Sequence, residues 1–102
     1  SVEDIAASFQ SAAVEVLVAK TIRATREKGY RTITLTGGVA ANSLLRKEME
    51  IAGEEIGAKV FYPSIRLCTD NAAMIAGLAY HKYCQGQRDD FDLNASARSE
   101  IV

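Results

Sequence analysis

The run Thr32-Ile33-Thr34-Leu35-Thr36 alternates, is rich in β-branched residues, and ends directly in Gly37-Gly38. Sequence of helical period lies on both sides of it. A strand that passes through a tight glycine turn into a helix is the opening half of a parallel β-α-β unit, because parallel strands need a long crossover. Such a turn also brings backbone N–H groups close to whatever sits above the sheet. Glycine permits φ > 0 and has no Cβ to obstruct a ligand.

The rest of the chain fits that frame. From about Val2 to Lys28 it reads as one long helix, stopped by Gly29. Ile5, Phe9, Ala12, Val16 and Ala19 recur at helical spacing, and a second face carries Val14, Leu17, Val18 and Ile22. A helix apolar on most sides is normally covered from two directions, and one of those covers is expected to be missing here. A second helix is expected from about Ala41 to Ile56, with Leu45, Met49, Ala52 and Ile56 as its core stripe and Gly57 at its end. Lys59 to Tyr62 reads as a second strand closed by Pro63, and a third helix runs from about Asp70 to Cys84, capped by Thr69. Residues 1–86 form the expected folded piece and 87–102 a polar tail. The order helix-strand-helix-strand-helix predicts an α/β fold with parallel strands and right-handed crossovers. Two strands make a thin sheet, so part of the domain is expected to lie outside this chain. No Met opens the sequence, and the natural protein is expected to begin further upstream.

At 102 residues with 48 % hydrophobic and 25 % charged residues, the composition is that of a globular domain or a piece of one. A net charge of −1 gives no general pull toward nucleic acid. The apolar stretches read as too short to span a bilayer, which predicts no transmembrane segment and no membrane partner. Cys68 and Cys84 match no C-x-x-C metal pattern and are expected to be reduced, buried thiols of a cytoplasmic protein.

Two segments carry the chemistry. In Gly37-Gly38-Val39-Ala40-Ala41-Asn42-Ser43, the helix N-terminus favours phosphate by roughly 0.3–1 kcal/mol per interaction. The Asn42 amide offers a donor and an acceptor, suited to a ribose or base edge. Equally, this is a tight turn with Asn42 or Ser43 as a helix cap. The pattern is neither G-x-G-x-x-G nor a Walker A loop. In Leu67-Cys68-Thr69-Asp70-Asn71-Ala72-Ala73-Met74-Ile75-Ala76, Asp70 falls at the first turn of the third helix, as a cap or as a metal ligand. A lone Asp is a poor metal site, since metals take three or four donors. His81, the sole histidine, lies about three turns along the same helix and cannot easily share an ion with Asp70.

Found together in this order, these segments resemble the tRNA N6-adenosine threonylcarbamoyltransferases, formerly called O-sialoglycoprotein endopeptidases or glycoproteases. The resemblance runs from about Asp4 to Gly86, matches the C-terminal part of the family protein, and is of the bacterial type. It implies an actin-like, Hsp70 and sugar-kinase ATPase (ribonuclease H-like) lobe. It implies that Asn42, with Gly37 and Gly38 beside it, meets an adenylate ligand (threonylcarbamoyl-AMP, ATP or AMP). It implies that Asp70 holds a divalent metal, iron or zinc, one ion per full-length subunit. The family's other ligands belong to a His-Met-Glu-Gly-His motif that this chain does not contain. The family reaction transfers a threonylcarbamoyl group from its adenylate to the exocyclic amine of the adenosine beside the anticodon in tRNA. Bacterial partners are a paralogous non-catalytic subunit and a small ATPase. With one of three ligands, the chain alone is expected to be inactive, and no catalytic side chain is assigned in it.

Lys20, Arg23, Arg26, Lys28 and Arg31 cluster at the end of the first helix. They suit tRNA phosphates or, equally, the helix macrodipole and solvent. Two rival readings remain: a sugar kinase-like ATPase of the same fold, and a non-catalytic assembly subunit docking through the apolar middle of the first helix.

Overall fold

The computed structural model describes residues 1–97, in two compact units, the first Ser1–Asp70 and the second beginning at Asn71. In the first unit, α1 (Val2–Lys28) is followed by β1 (Thr32–Thr34), a 3-10 turn (Gly38–Ala41), α2 (Ser43–Glu55), β2 (Lys59–Phe61) and a second 3-10 turn (Ile65–Leu67). The strands pair in parallel, with Thr32 opposite Lys59, Ile33 opposite Val60 and Thr34 opposite Phe61. The Leu35 N–H adds a bond to the Phe61 carbonyl at 2.9 Å. The α/β class expected from the sequence is therefore present, with, among the described residues, a two-stranded parallel sheet and α2 as its crossover.

The core is small. Val14, Ile33, Leu45, Met49 and Ala58 are buried together, with Val18, Ile22, Leu35, Leu44, Ile56 and Val60 packed around them. It draws on the second apolar face of α1, at the spacing Val14, Val18, Ile22, with Thr25 buried one turn further. Thr25 satisfies its hydroxyl by donating to the Thr21 carbonyl at 2.8 Å. The other face stays open, with Ile5 and Phe9 more than 70 % exposed. Helical period alone could not choose between two apolar faces; the position of α2 does.

Several sequence expectations are corrected. First, α1 spans 27 residues with a window of mean hydropathy 1.3, so by length and composition it is apolar enough to cross a membrane. Its alanines keep the mean high where the runs of large apolar residues are short. Its Val14, Val18 and Ile22 stripe packs against the core, while most of that window is exposed. Second, the second helix starts later than expected. The chain first makes the 3-10 turn, with Ala40 N–H bonded to the Gly37 carbonyl at 3.1 Å and Asn42 N–H to the Val39 carbonyl at 3.0 Å. Third, Cys84 is exposed; of the two free thiols Cys68 is the buried one.

In the second unit, α3 covers Ala72–Cys84. Its cap is Asn71, not Thr69. Asn71 has extended backbone at φ −151° and its side-chain oxygen accepts the Met74 N–H at 2.9 Å. Although rich in Ala, Met, Ile, Leu and Tyr, α3 buries no residue. Arg88 folds back on its end, stacking 3.8 Å over the Tyr83 ring.

Candidate nucleotide and metal site

The glycine turn is built by one residue that only glycine suits. Gly37 has φ 86° and ψ 178°, a region essentially closed to side chains. Gly38 has no such backbone demand, and a Cβ added at either glycine would meet nothing within 4 Å. The space over the turn is open, and Val39 beside it is 65 % exposed. Nothing in this chain therefore requires glycine at position 38.

Asn42 is half-buried and caps α2. Its Oδ1 accepts the Leu45 N–H at 2.9 Å, and its Nδ2 donates to Gln10 Oε1 at 2.8 Å, tying the turn to α1. The cap that the sequence allowed is realised. Both polar atoms of the amide are thus engaged within the chain, and the second Nδ2 hydrogen is the donor left for a further contact.

Asp70 lies in irregular backbone after the second 3-10 turn, before the Asn71 cap, rather than in the first turn of a helix. Its side chain is exposed. The two residues of the signature that precede it differ: Thr69 is exposed and Cys68 is 4 % exposed. Cys68 donates weakly to the Ser64 carbonyl at 3.6 Å. Among the described residues, no group of three or more His, Cys, Asp or Glu is arranged to hold a metal. A carboxylate of this kind fits as one ligand of an ion shared with donors from elsewhere. His81 is an exposed α3 residue in edge contact with the Tyr80 ring.

Between the two segments stands a residue that sequence reading passed over. Arg46, half-buried on α2, donates from Nε to the Ala40 carbonyl at 2.5 Å, and from Nη2 to the Pro63 carbonyl at 2.9 Å and Cys68 Sγ at 3.2 Å. Its guanidinium lies 4.3 Å over the Tyr62 ring, and the Tyr62 hydroxyl donates to Glu50 Oε1 at 2.5 Å. That hydrogen bond to a carboxylate pushes the Tyr62 phenol above its ordinary pKa. The available signal was spacing: Arg46 is four residues after the cap Asn42 and Glu50 four after that, one face of α2.

The basic cluster is solvated. Lys20, Arg23, Arg26, Lys28 and Arg31 are all exposed, and Arg23 pairs loosely with Glu27 at 3.9 Å, an interaction of little energetic weight.

With the turn, the loop that leads to Asp70 and the arginine that contacts both in view, the comparison with known proteins is decisive. A sequence model of the tRNA N6-adenosine threonylcarbamoyltransferase family matches residues 1–77. The chain belongs to that family. It is 51 % identical over 100 residues to the tRNA N6-adenosine threonylcarbamoyltransferase of Clostridioides difficile, covering 98 % of this chain and 30 % of that protein. It is 53 % identical over 92 residues to the protein of the same name from Moorella thermoacetica, covering 90 % of this chain and 27 % of that one. For the Fusobacterium nucleatum protein of that name the identity is 52 % over 100 residues, with 93 % and 29 % covered. The chain thus spans less than a third of the length of these family members.

Proposed function

We propose that this chain is part of a tRNA-modifying acyltransferase that moves a threonylcarbamoyl group from threonylcarbamoyl-AMP to N6 of the adenosine adjacent to the anticodon. The observation that carries the reading is the joining, within the unit Ser1–Asp70, of the Gly37–Ser43 segment to the Cys68 end of the second segment by the contacts of Arg46 to Ala40 and Cys68. In this reading the chain forms part of an actin-like lobe. The adenylate lies over Gly37 and Gly38, where the space is open. Its phosphate meets the positive end of α2, and the Asn42 amide orients its ribose or base. Asp70 supplies one ligand to an iron or zinc ion, and the remaining ligands come from outside this chain. When bound, the metal would polarise or orient the acyl-adenylate. The attacking adenosine N6 forms the new bond to the carbonyl carbon, the bond from that carbon to the phosphate oxygen breaks to release AMP, and the N6 proton passes to solvent.

The expected partners are tRNA, a paralogous non-catalytic subunit and a small ATPase, in the cytoplasm. The chain by itself is inactive in this reading, because it holds one ligand of three. Asp70 argues against a purely structural subunit, which has no physical need for a metal-binding acid.

The test uses the full-length protein in a strain lacking its own transferase, with threonylcarbamoyladenosine in digested tRNA quantified by mass spectrometry. Wild type should restore the nucleoside; folded Asp70→Ala should lower it by at least about a hundredfold, and Asn42→Ala about tenfold. Full activity in Asp70→Ala would leave Asp70 as a loop residue without a role in the chemistry.

A further inference from the structure

A half-buried guanidinium is an expensive way to hold a loop unless it is well bonded. Arg46 donates once from Nε and twice from Nη2, each time to a neutral partner. Among the described residues it makes no ion pair; it meets two backbone carbonyls, a thiol and an aromatic face. Those partners come from two places. Ala40 is in the 3-10 turn, two residues before Asn42. Pro63 and Cys68 bracket the second turn, and Cys68 is two residues before Asp70. The arginine is itself held in orientation, because Tyr62 beneath it is tied to Glu50, one turn further along α2. A lysine could reach one of these acceptors as a point charge, but a single ammonium cannot present donors in the planar directions Ala40, Pro63 and Cys68 require.

We propose that Arg46 is the positioning residue of this site: it ties the Gly37–Asn42 turn to the Ser64–Asp70 loop so that the two move as one. Ligand contact at the turn is thereby felt at the acid, and the acid's position is felt at the turn, as linkage requires. The inference rests on the reading in which the turn meets an adenylate and Asp70 a metal, and it adds what couples them.

The experiment is amide hydrogen exchange on the metal-loaded full-length protein, with AMP as the probe. The reporters are Ala40 and Asn42 in the turn and Leu67 and Cys68 in the loop, all of which donate backbone N–H bonds inside their own 3-10 turns. In wild type, AMP should slow exchange in both segments. In Arg46→Ala, exchange without AMP should speed up about tenfold in both while α1 is unchanged, since hydrogen bonds to a charged group are lost. AMP should then protect the turn and no longer the loop. Alkylation of Cys68 by iodoacetamide, quantified on its peptide, should also rise about tenfold, because Arg46 Nη2 bonds its sulfur and holds the loop closed over it. Arg46→Lys serves where Arg46→Ala does not fold, and should show the same loss of transmission.

AMP protection of both segments in either variant would overturn the proposal while leaving the transferase reading intact. The same holds if AMP protects only the turn in wild type. Absence of AMP protection anywhere, together with no threonylcarbamoyladenosine from wild type, would overturn both.

Discussion

Gly53 tests whether packing or helix propensity governs the contact between α2 and β2. It is buried within α2, where propensity favours alanine over glycine by about 1 kcal/mol. A Cβ there would stand 2.8 Å from Val60 Cγ2 and 3.2 Å from the Ala58 carbonyl oxygen. Neither neighbour yields freely. Val60 lies on β2 opposite Ile33 and packs against the core. The Ala58 N–H is bonded back to the Gly53 carbonyl at 2.9 Å, so moving that backbone loosens a bond to Gly53 itself. Forcing one methyl into such a contact costs about 1–3 kcal/mol. Setting the propensity gain against it leaves Gly53→Ala destabilising by about 1 kcal/mol. Removing the Val60 methyls should reverse the sign. In a Val60→Ala background the 2.8 Å contact is gone, and Gly53→Ala should be neutral or stabilising by about 0.5 kcal/mol. The double-mutant cycle then reads a coupling of about 1.5 kcal/mol. Urea unfolding of the four variants of the 102-residue chain, followed by far-ultraviolet circular dichroism, measures it. A Gly53→Ala chain more stable than wild type, or the same effect in both backgrounds, would show the reasoning to be wrong.

Asn42 can be separated into its two jobs. Asn42→Ala should lose about 1 kcal/mol of stability with the cap, whereas Asn42→Asp keeps an acceptor for the Leu45 N–H and should recover most of it in urea unfolding. Calorimetry on the full-length protein should show AMP affinity falling in both variants; affinity equal to wild type in Asn42→Asp would mean the amide nitrogen touches no ligand. The Tyr62 phenol should ionise above the usual tyrosine value of about 10, because its proton is shared with Glu50. The sign follows: the bond's contribution is complete below the unfolded pKa and disappears as pH rises through the higher folded one. Tyrosinate absorbance, assigned with Tyr62→Phe, should move back toward the ordinary range in Glu50→Ala, and an unmoved titration would refute the bond.

What the sequence determined by itself was local and periodic. The β-branched run before Gly37, the helical spacing of Leu45 and Met49, and Gly29 as a stop are short-range signals, and each names its element without help from the rest of the fold. The identity of the two segments carrying Asn42 and Asp70 was equally legible, because unusual residue combinations at fixed spacing need no tertiary context to be noticed. Which apolar face of α1 is covered was not legible, since Phe9 and Val14 look equally eligible until α2 is in place. Nor was the shift of the third helix's cap from Thr69 to Asn71, a choice between neighbouring side chains made by the extended backbone at Asn71. The role of Arg46 was hidden most deeply. Its partners at Ala40, Pro63 and Cys68 are six, seventeen and twenty-two residues away. No pattern along the chain encodes such distances, because a guanidinium reads positions in space, and only the folding of β1, α2 and β2 into one unit brings those acceptors within its reach.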